Sequence, residues 1–368
     1  MTRRMPSRPL PGILRYPLAA TALALAALAA PADAQPPPTR LESIDVYRTA
    51  QLDADELKRR YAPAIRKLVA AVSANDEEAI GRIHDEIVES IRASGDFAFV
   101  ALDITTTFAD DANVLNATIE LVDAADAATR LSFGAEPTGS VPDPDDVLAS
   151  WVEYERTSFD LLQKRQIPLA IERCPAHHCI VGFEHPALEP FLERFDRAAR
   201  EHHDALVRVL REDADPQKRG HAAFVLAHVE DAHALVRDLI PSLDDPSPLV
   251  RNNAMRVLLM VAQRDREVVI PFAPLGRRID DPDSGCRNKA ASLIAALADR
   301  PEYRDDILAI APAVLRLLRL EKPNNHVPAY QILRTISGEA FGERDYGRWR
   351  AWIEQTRTAG ASASSADR

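Results

Sequence analysis

The sequence predicts two architectures in one chain: an α+β N-terminal domain in βααββ order, followed by an all-α right-handed solenoid of helical hairpins. Three observations carry this. One helical template recurs four times between about Asp196 and Gln355. Apolar residues recur at spacings of three and four in two segments ahead of Arg92, the period of amphipathic helices. Two strand-like segments, Phe97 to Phe108 and Leu115 to Val122, follow them.

From the N-terminus, residues 1–34 read as a signal peptide. Arg3, Arg4, Arg8 and Arg15 give a positive start. Leu18 to Ala30 is an unbroken run of alanine, leucine and threonine, and Ala32-Asp33-Ala34 offers a cleavage site before Gln35. The run is 13 residues, too short to span a bilayer. No cysteine follows the cut, which argues against a lipid anchor, and no later segment reaches spanning length. The mature chain is expected to be exported, periplasmic or secreted, with no transmembrane segment. Cleavage takes four arginines and one aspartate from 45 basic and 56 acidic side chains, so the net charge moves from −11 to −14. An acidic chain without a basic stripe is a poor nucleic-acid binder, because phosphate neutralisation supplies most of that affinity.

Residues 35–40 form a Pro-rich lead-in. Residues 41–125 read as the small α+β domain. Ile44-Asp45-Val46 alternates as a strand. Leu57, Tyr61, Ile65, Leu68 and Val72 line one helix, and Ile80, Ile83, Ile87 and Ile91 a second. In the last strand Ala117, Ile119 and Leu121 share a face, and Asp110 to Asn113 makes the turn before it. This order, with Gly95-Asp96-Phe97 turning from the second helix into the second strand, resembles that of POTRA domains. The resemblance implies capture of extended chains by strand addition at a sheet edge. Such units usually precede an outer-membrane barrel, and none follows here.

Residues 130–195 read as a bridging subdomain. Pro137, Gly139, Pro142 and Pro144 break regular structure, Val147 to Lys164 is expected to be a helix burying Trp151, Tyr154 and Leu161, and Ile167 to Glu172 a short strand or extended run. Cys174-Pro175-Ala176-His177-His178-Cys179 is the one stretch with chemical character. In an exported chain Cys174 and Cys179 most simply close a disulfide loop. A zinc site built from Cys174, His177, His178 and Cys179 is the second reading, although no second ligand pair follows at the familiar spacing. A Cys/His nucleophile is the third. His221 and His228 lie seven apart and could share a face with His202 or His203.

Residues 196–357 carry the repeat. Aligning Ala222, Ala254, Ala290 and Ala329 gives steps of 32, 36 and 39 residues, the period of helical solenoids. The turns Asp213-Ala214-Asp215-Pro216, Asp244-Asp245-Pro246 and Asp280-Asp281-Pro282 supply helix-start signals. An Asp stands six positions before an Arg three times: Asp213/Arg219, Asp245/Arg251 and Asp281/Arg287. On these pairs the stretch resembles HEAT repeats, in which such residues bond along the stack as a ladder between neighbouring units. The fourth unit has Lys322 and His326 at these positions and reads as a degenerate end cap. Cys286 falls at the Val250 position and reads as a small buried residue. Ser337 to Gly342 ends the last repeat helix, and Tyr346, Trp349 and Trp352 recur on a final short helix. There Trp349 and Trp352 are expected to cover the end of the stack, an ending similar to those of other bacterial HEAT-repeat proteins. Residues 358–368 are expected to be a disordered tail.

No Gly-rich phosphate loop, HExxH, GxSxG or paired-carboxylate signature stands out. Neither catalytic residues nor a cofactor are assigned. The expected function is a non-catalytic scaffold or adaptor that binds a protein or peptide along the repeat surface. The alternative is a metal-dependent or lyase-type HEAT-like enzyme using Cys174, His177, His178 and Cys179.

Overall fold

The structure is a computed structural model that describes residues 39–108, 112–168 and 170–366. The expected signal peptide, residues 35–38 of the lead-in and residues 110 and 111 of the expected turn lie outside the described residues.

Strand β1 (Thr39–Tyr47), helices α1 (Ala54–Ser73) and α2 (Glu77–Arg92), and strands β2 (Phe97–Phe108) and β3 (Asn113–Asp123) follow in the order expected. β1 takes in Thr39 and Arg40, which the sequence placed in the lead-in, because they pair with Asn113 and Val114. Asp53 and Asp76 start the two helices by accepting the N–H groups of Glu56 and Ala79 at 2.8 and 3.0 Å. The sheet runs β1-β3-β2, with β1 parallel and β2 antiparallel to the central β3. Its apolar face, Val100, Leu102, Ala117, Ile119 and Leu121, packs on Leu57, Ile65, Leu68, Ile87 and Ile91. Every residue of β3 is buried, including Asn116, Thr118 and Glu120 on the opposite face. A three-stranded sheet under two helices leaves that face to water, so something else covers it.

The cover is the helical array. After a short helical turn, Ala127–Arg130, the chain runs back as an extended strap along the array's edge. Gly134 N–H donates to the Asp244 carbonyl at 2.6 Å, and Gly139 and Ala214 exchange backbone bonds with Glu212 and Gly139. A Cβ on Gly139 would stand 2.5 Å from the Glu212 carbonyl oxygen, so the close approach requires glycine. Helices α3 (Val147–Gln163) and α4 (Glu189–Glu201) then cover the start of the stack. Trp151, Tyr154, Phe183, Phe195 and Phe224 pack there with ring centroids 5.0 to 6.5 Å apart. Of residues 167–172, expected as a strand or extended run, the described ones are irregular, and among the described residues no strand pairs with them.

Four hairpins follow: α5 (His203–Glu212) with α6 (Pro216–Leu226), α7 (Ala232–Leu239) with α8 (Pro248–Arg264), α9 (Phe272–Arg277) with α10 (Ser284–Leu297), and α11 (Arg304–Leu318) with α12 (Pro323–Ser337). The template helices α6, α8, α10 and α12 pack in succession as one layer. The residues that let them approach, Ala222, Ala254, Ala290 and Ala329, are fully buried. One continuous core runs from Trp151 through the stack to Ile353, so the bridging segment shares the array's core. α13 (Tyr346–Ala366) seals the far end and extends through residues expected to be a disordered tail. Trp349 is fully buried, donates its indole N–H to the Gly342 carbonyl at 2.9 Å and meets Phe341 edge-on, while Trp352 is only partly covered.

Truncating Trp349 removes the largest side chain under this lid. Trp349→Ala is expected to lower unfolding free energy by ~3–5 kcal/mol in a urea titration, and Trp352→Ala by clearly less.

Candidate interaction surface

The hairpin turns place the ladder residues. Each ladder Asp begins a template turn by accepting the N–H two residues on: Asp213 from Asp215, Asp245 from Ser247 and Asp281 from Asp283, at 2.8 to 2.9 Å. The second and third template helices start at Pro248 and Ser284, beyond Pro246 and Pro282, because these turns come first. Each ladder Arg then bonds in two directions. Arg219 donates to its own turn's carbonyls, Asp213 and Ala214, at 2.8 and 3.2 Å, and forks onto both oxygens of Asp245 at 2.8 and 2.9 Å. Arg251 repeats this with Asp245, Pro246 and Asp281. Both arginines are buried, and against the downward push of burial Asp281 holds Arg251 above its ordinary range.

The third rung does not continue to a neighbouring repeat. Arg287 bonds its own turn at Asp281 and Pro282, but the next unit offers Lys322. Its carboxylate partner is Glu120 of β3, at 2.7 Å. Tyr47 lies under the Arg287 guanidinium at 3.7 Å and Phe133 of the strap under that of Arg251 at 4.0 Å. The fourth unit, expected to cap the stack by facing water, instead docks the sheet. Lys322 is buried and bonds Asp103 and Ser284, and Asp45 accepts the N–H groups of Glu321 and Lys322. Asp280 gathers Tyr47, Arg48 and Arg316; burial pushes its carboxyl up, but the arginine charges and the Tyr47 hydrogen bond hold it below the usual range. At the other end Asp213 has no preceding Arg. Lys218 and the strap's Val141 N–H satisfy it at 2.7 and 2.9 Å.

Cys174 and Cys179 are joined in a disulfide, Cα atoms 5.7 Å apart, so the thiolates that a zinc reading needs are not free. The loop is pinned by His177 N–H to the Ala227 carbonyl at 2.8 Å and by Arg264 to Ala176. His178 stacks on Phe224 at 5.0 Å, and its pKa falls to about 3, by burial first and then by the charges of Arg256, Lys289 and Arg264. His203, His221 and His228 are not brought together: they face Asp238, Glu155 and Asp196 separately. Cys286 is fully buried, its Sγ on the Pro248 carbonyl at 3.2 Å.

The charges reaching His178 mark a feature that the sequence reading missed. Arg256 on α8 and Lys289 on α10 stand on successive template helices. Arg256 bonds Asn252 at 3.0 Å, and neither cation has a carboxylate partner among the described residues. Burial, then the charge of Arg256, pushes Lys289 down to about 8. Two crowded cations without a counter-charge favour an incoming anion. Their signal in sequence is faint, since the 33 positions that part them are one 36-residue repeat step minus three.

Arg251→Ala strips Asp281 of its forked partner in a buried site. It is expected to lower stability by ~3–5 kcal/mol, whereas Lys164→Ala, which breaks an exposed pair with Asp160, should change it by less than ~0.5 kcal/mol. Burial pushes Glu120 up to about 7 from 4.5, against the attraction of Arg287. Between those two pH values the folded chain therefore keeps a proton that the unfolded chain has released. Glu120's contribution to stability is full below pH 4.5, falls as pH rises to about 7 and then levels off. Thermal melts across pH 4 to 8 should show this slope shallower in Glu120→Gln.

Comparison with known proteins agrees with the repeat. Residues 203–295 match the family model for HEAT repeats. No curated protein and no solved structure gives a significant match. The matched span runs from α5 into α10, the part of the stack holding both Arg-to-Asp rungs between repeats, and with the helical layers on either side it supports a HEAT-repeat array in this part of the chain.

Proposed function

We propose that this chain is an exported, non-catalytic scaffold that holds a protein or peptide partner on the template-helix layer of its array. HEAT repeats commonly mediate protein interactions, and solenoids present long surfaces suited to that use. The observation that carries the reading is the Arg256/Lys289 pair, two cations on adjacent repeats that a partner's carboxylate would satisfy together. The disulfide and the signal-like N-terminus support export, since such bonds persist in oxidising compartments. No helix among the described residues is long and apolar enough to cross a membrane.

The test is affinity capture from a periplasmic extract with the wild-type chain and with R256E/K289E. The partner should be retained by the first and lost by the second, with unchanged melting of the bait. Equal retention would move the binding surface elsewhere. For the isolated complex, affinity should fall as pH rises through about 8, because Lys289 then loses the charge that attracts a carboxylate.

A further inference from the structure

A second surface lies away from the template layer. α13 lies along α11, and between them runs a groove of 680 Å³, within the size range of ligand sites. Leu315 and Ile353 belong to its lining, and Arg316, Arg319, Arg350 and Arg357 flank it, with Glu354 as the one acidic neighbour. The four arginines are not equivalent. Arg316 is committed to Asp280 at 3.1 Å, and Arg319 lies over the Tyr346 ring at 5.8 Å. Arg350 and Arg357 stand two turns apart on the same helix, and neither has a carboxylate within ion-pair reach among the described residues.

We propose that this groove binds a short acidic peptide segment of another protein, its carboxylates on Arg350 and Arg357 and an apolar side chain against Leu315 and Ile353. This deepens the scaffold reading, on which it rests, by naming a second contact and its chemistry. Charge selects the occupant. The chain as a whole carries −11, so a nucleic acid or an anionic membrane surface, which meets the whole molecule, is repelled. A short segment meets only the groove, because charges beyond about 8 Å are screened at physiological ionic strength. The lining also demands more than charge. Its apolar part adds affinity only for a ligand that also carries an apolar side chain, and its arginines can donate forked hydrogen bonds to carboxylates.

The experiment uses the mature chain and a fluorescein-labelled peptide that alternates glutamate and leucine, followed by fluorescence anisotropy. R350E/R357E should weaken binding by about tenfold or more. Arg156→Glu, a charge reversal at an exposed α3 position, should leave it within roughly twofold. All three proteins should melt alike, since the changed side chains are exposed. Replacing leucine by serine in the peptide should also weaken binding, and so should added salt. Three results would overturn the proposal: affinity indifferent to R350E/R357E, equal affinity for the serine peptide, or tighter binding of phosphatidylglycerol vesicles than of the peptide through the same arginines. None of them would touch the Arg256/Lys289 surface, whose capture assay with R256E/K289E reads the scaffold function independently.

Discussion

A guanidinium taken out of water must keep its charge balanced and its N–H groups bonded, and this requirement organises the molecule. Arg219 and Arg251 meet it by reaching down to their own turn's carbonyls and across to the next turn's Asp. Each turn is thereby locked to its neighbour at a fixed offset, and the apolar faces of the template helices come into register as a result. The arginines do not supply most of the stabilisation, since buried ion pairs roughly balance their desolvation. They specify the stacking that lets Ala254, Leu258, Ala290 and Ile294 bury without gaps.

The same requirement explains the domain arrangement. Where the fourth unit lacks an Asp, Arg287 would be left buried beside Lys322, two like charges with nothing opposite. β3 supplies Glu120 and β2 supplies Asp103, while β1 lends Tyr47 and Asp45. The polar face of the sheet is therefore a charge complement to an interrupted ladder. Arg287 donates one hydrogen bond to Glu120 where the earlier rungs have a fork, and among the described residues its Nε and Glu120 Oε2 have no partner. Burial, which the pull of Arg287 only partly offsets, is why Glu120 holds its proton to a higher pH than a surface glutamate.

Much of this was legible in the sequence, for reasons tied to locality. The helix periods, the strand order and the Asp-to-Arg spacing are written within single units, so residues at hand reveal them. The destination of Arg287 is not, because Glu120 lies 167 positions earlier, and an acidic residue alternating with Ile119 and Leu121 reads as a solvent face. Phe133 carries no signal either, since an isolated aromatic in a Pro/Gly-rich stretch looks like loop. Arg256 and Lys289 escaped because each alone resembles an ordinary surface cation. The C-terminal helix outran its expected length because serine and glycine argued for a tail, whereas the lid gives the helix a surface to grow from.

The strap has a consequence for how the molecule comes together. The N-terminal domain has its own core, yet Tyr47 meets Asp280 across 233 positions of chain. The first part synthesised thus waits for nearly the last before its charged face is covered. Contacts of such separation close late and slowly compared with hairpins that stack on their immediate predecessor. Once formed, they tie the array into a ring of chain, with the strap as the return limb. Solenoids usually stretch like springs because each unit touches only the next. Here the strap and the docked sheet together touch all four units, and the third and fourth repeats are held to the same sheet through Arg287 and Lys322.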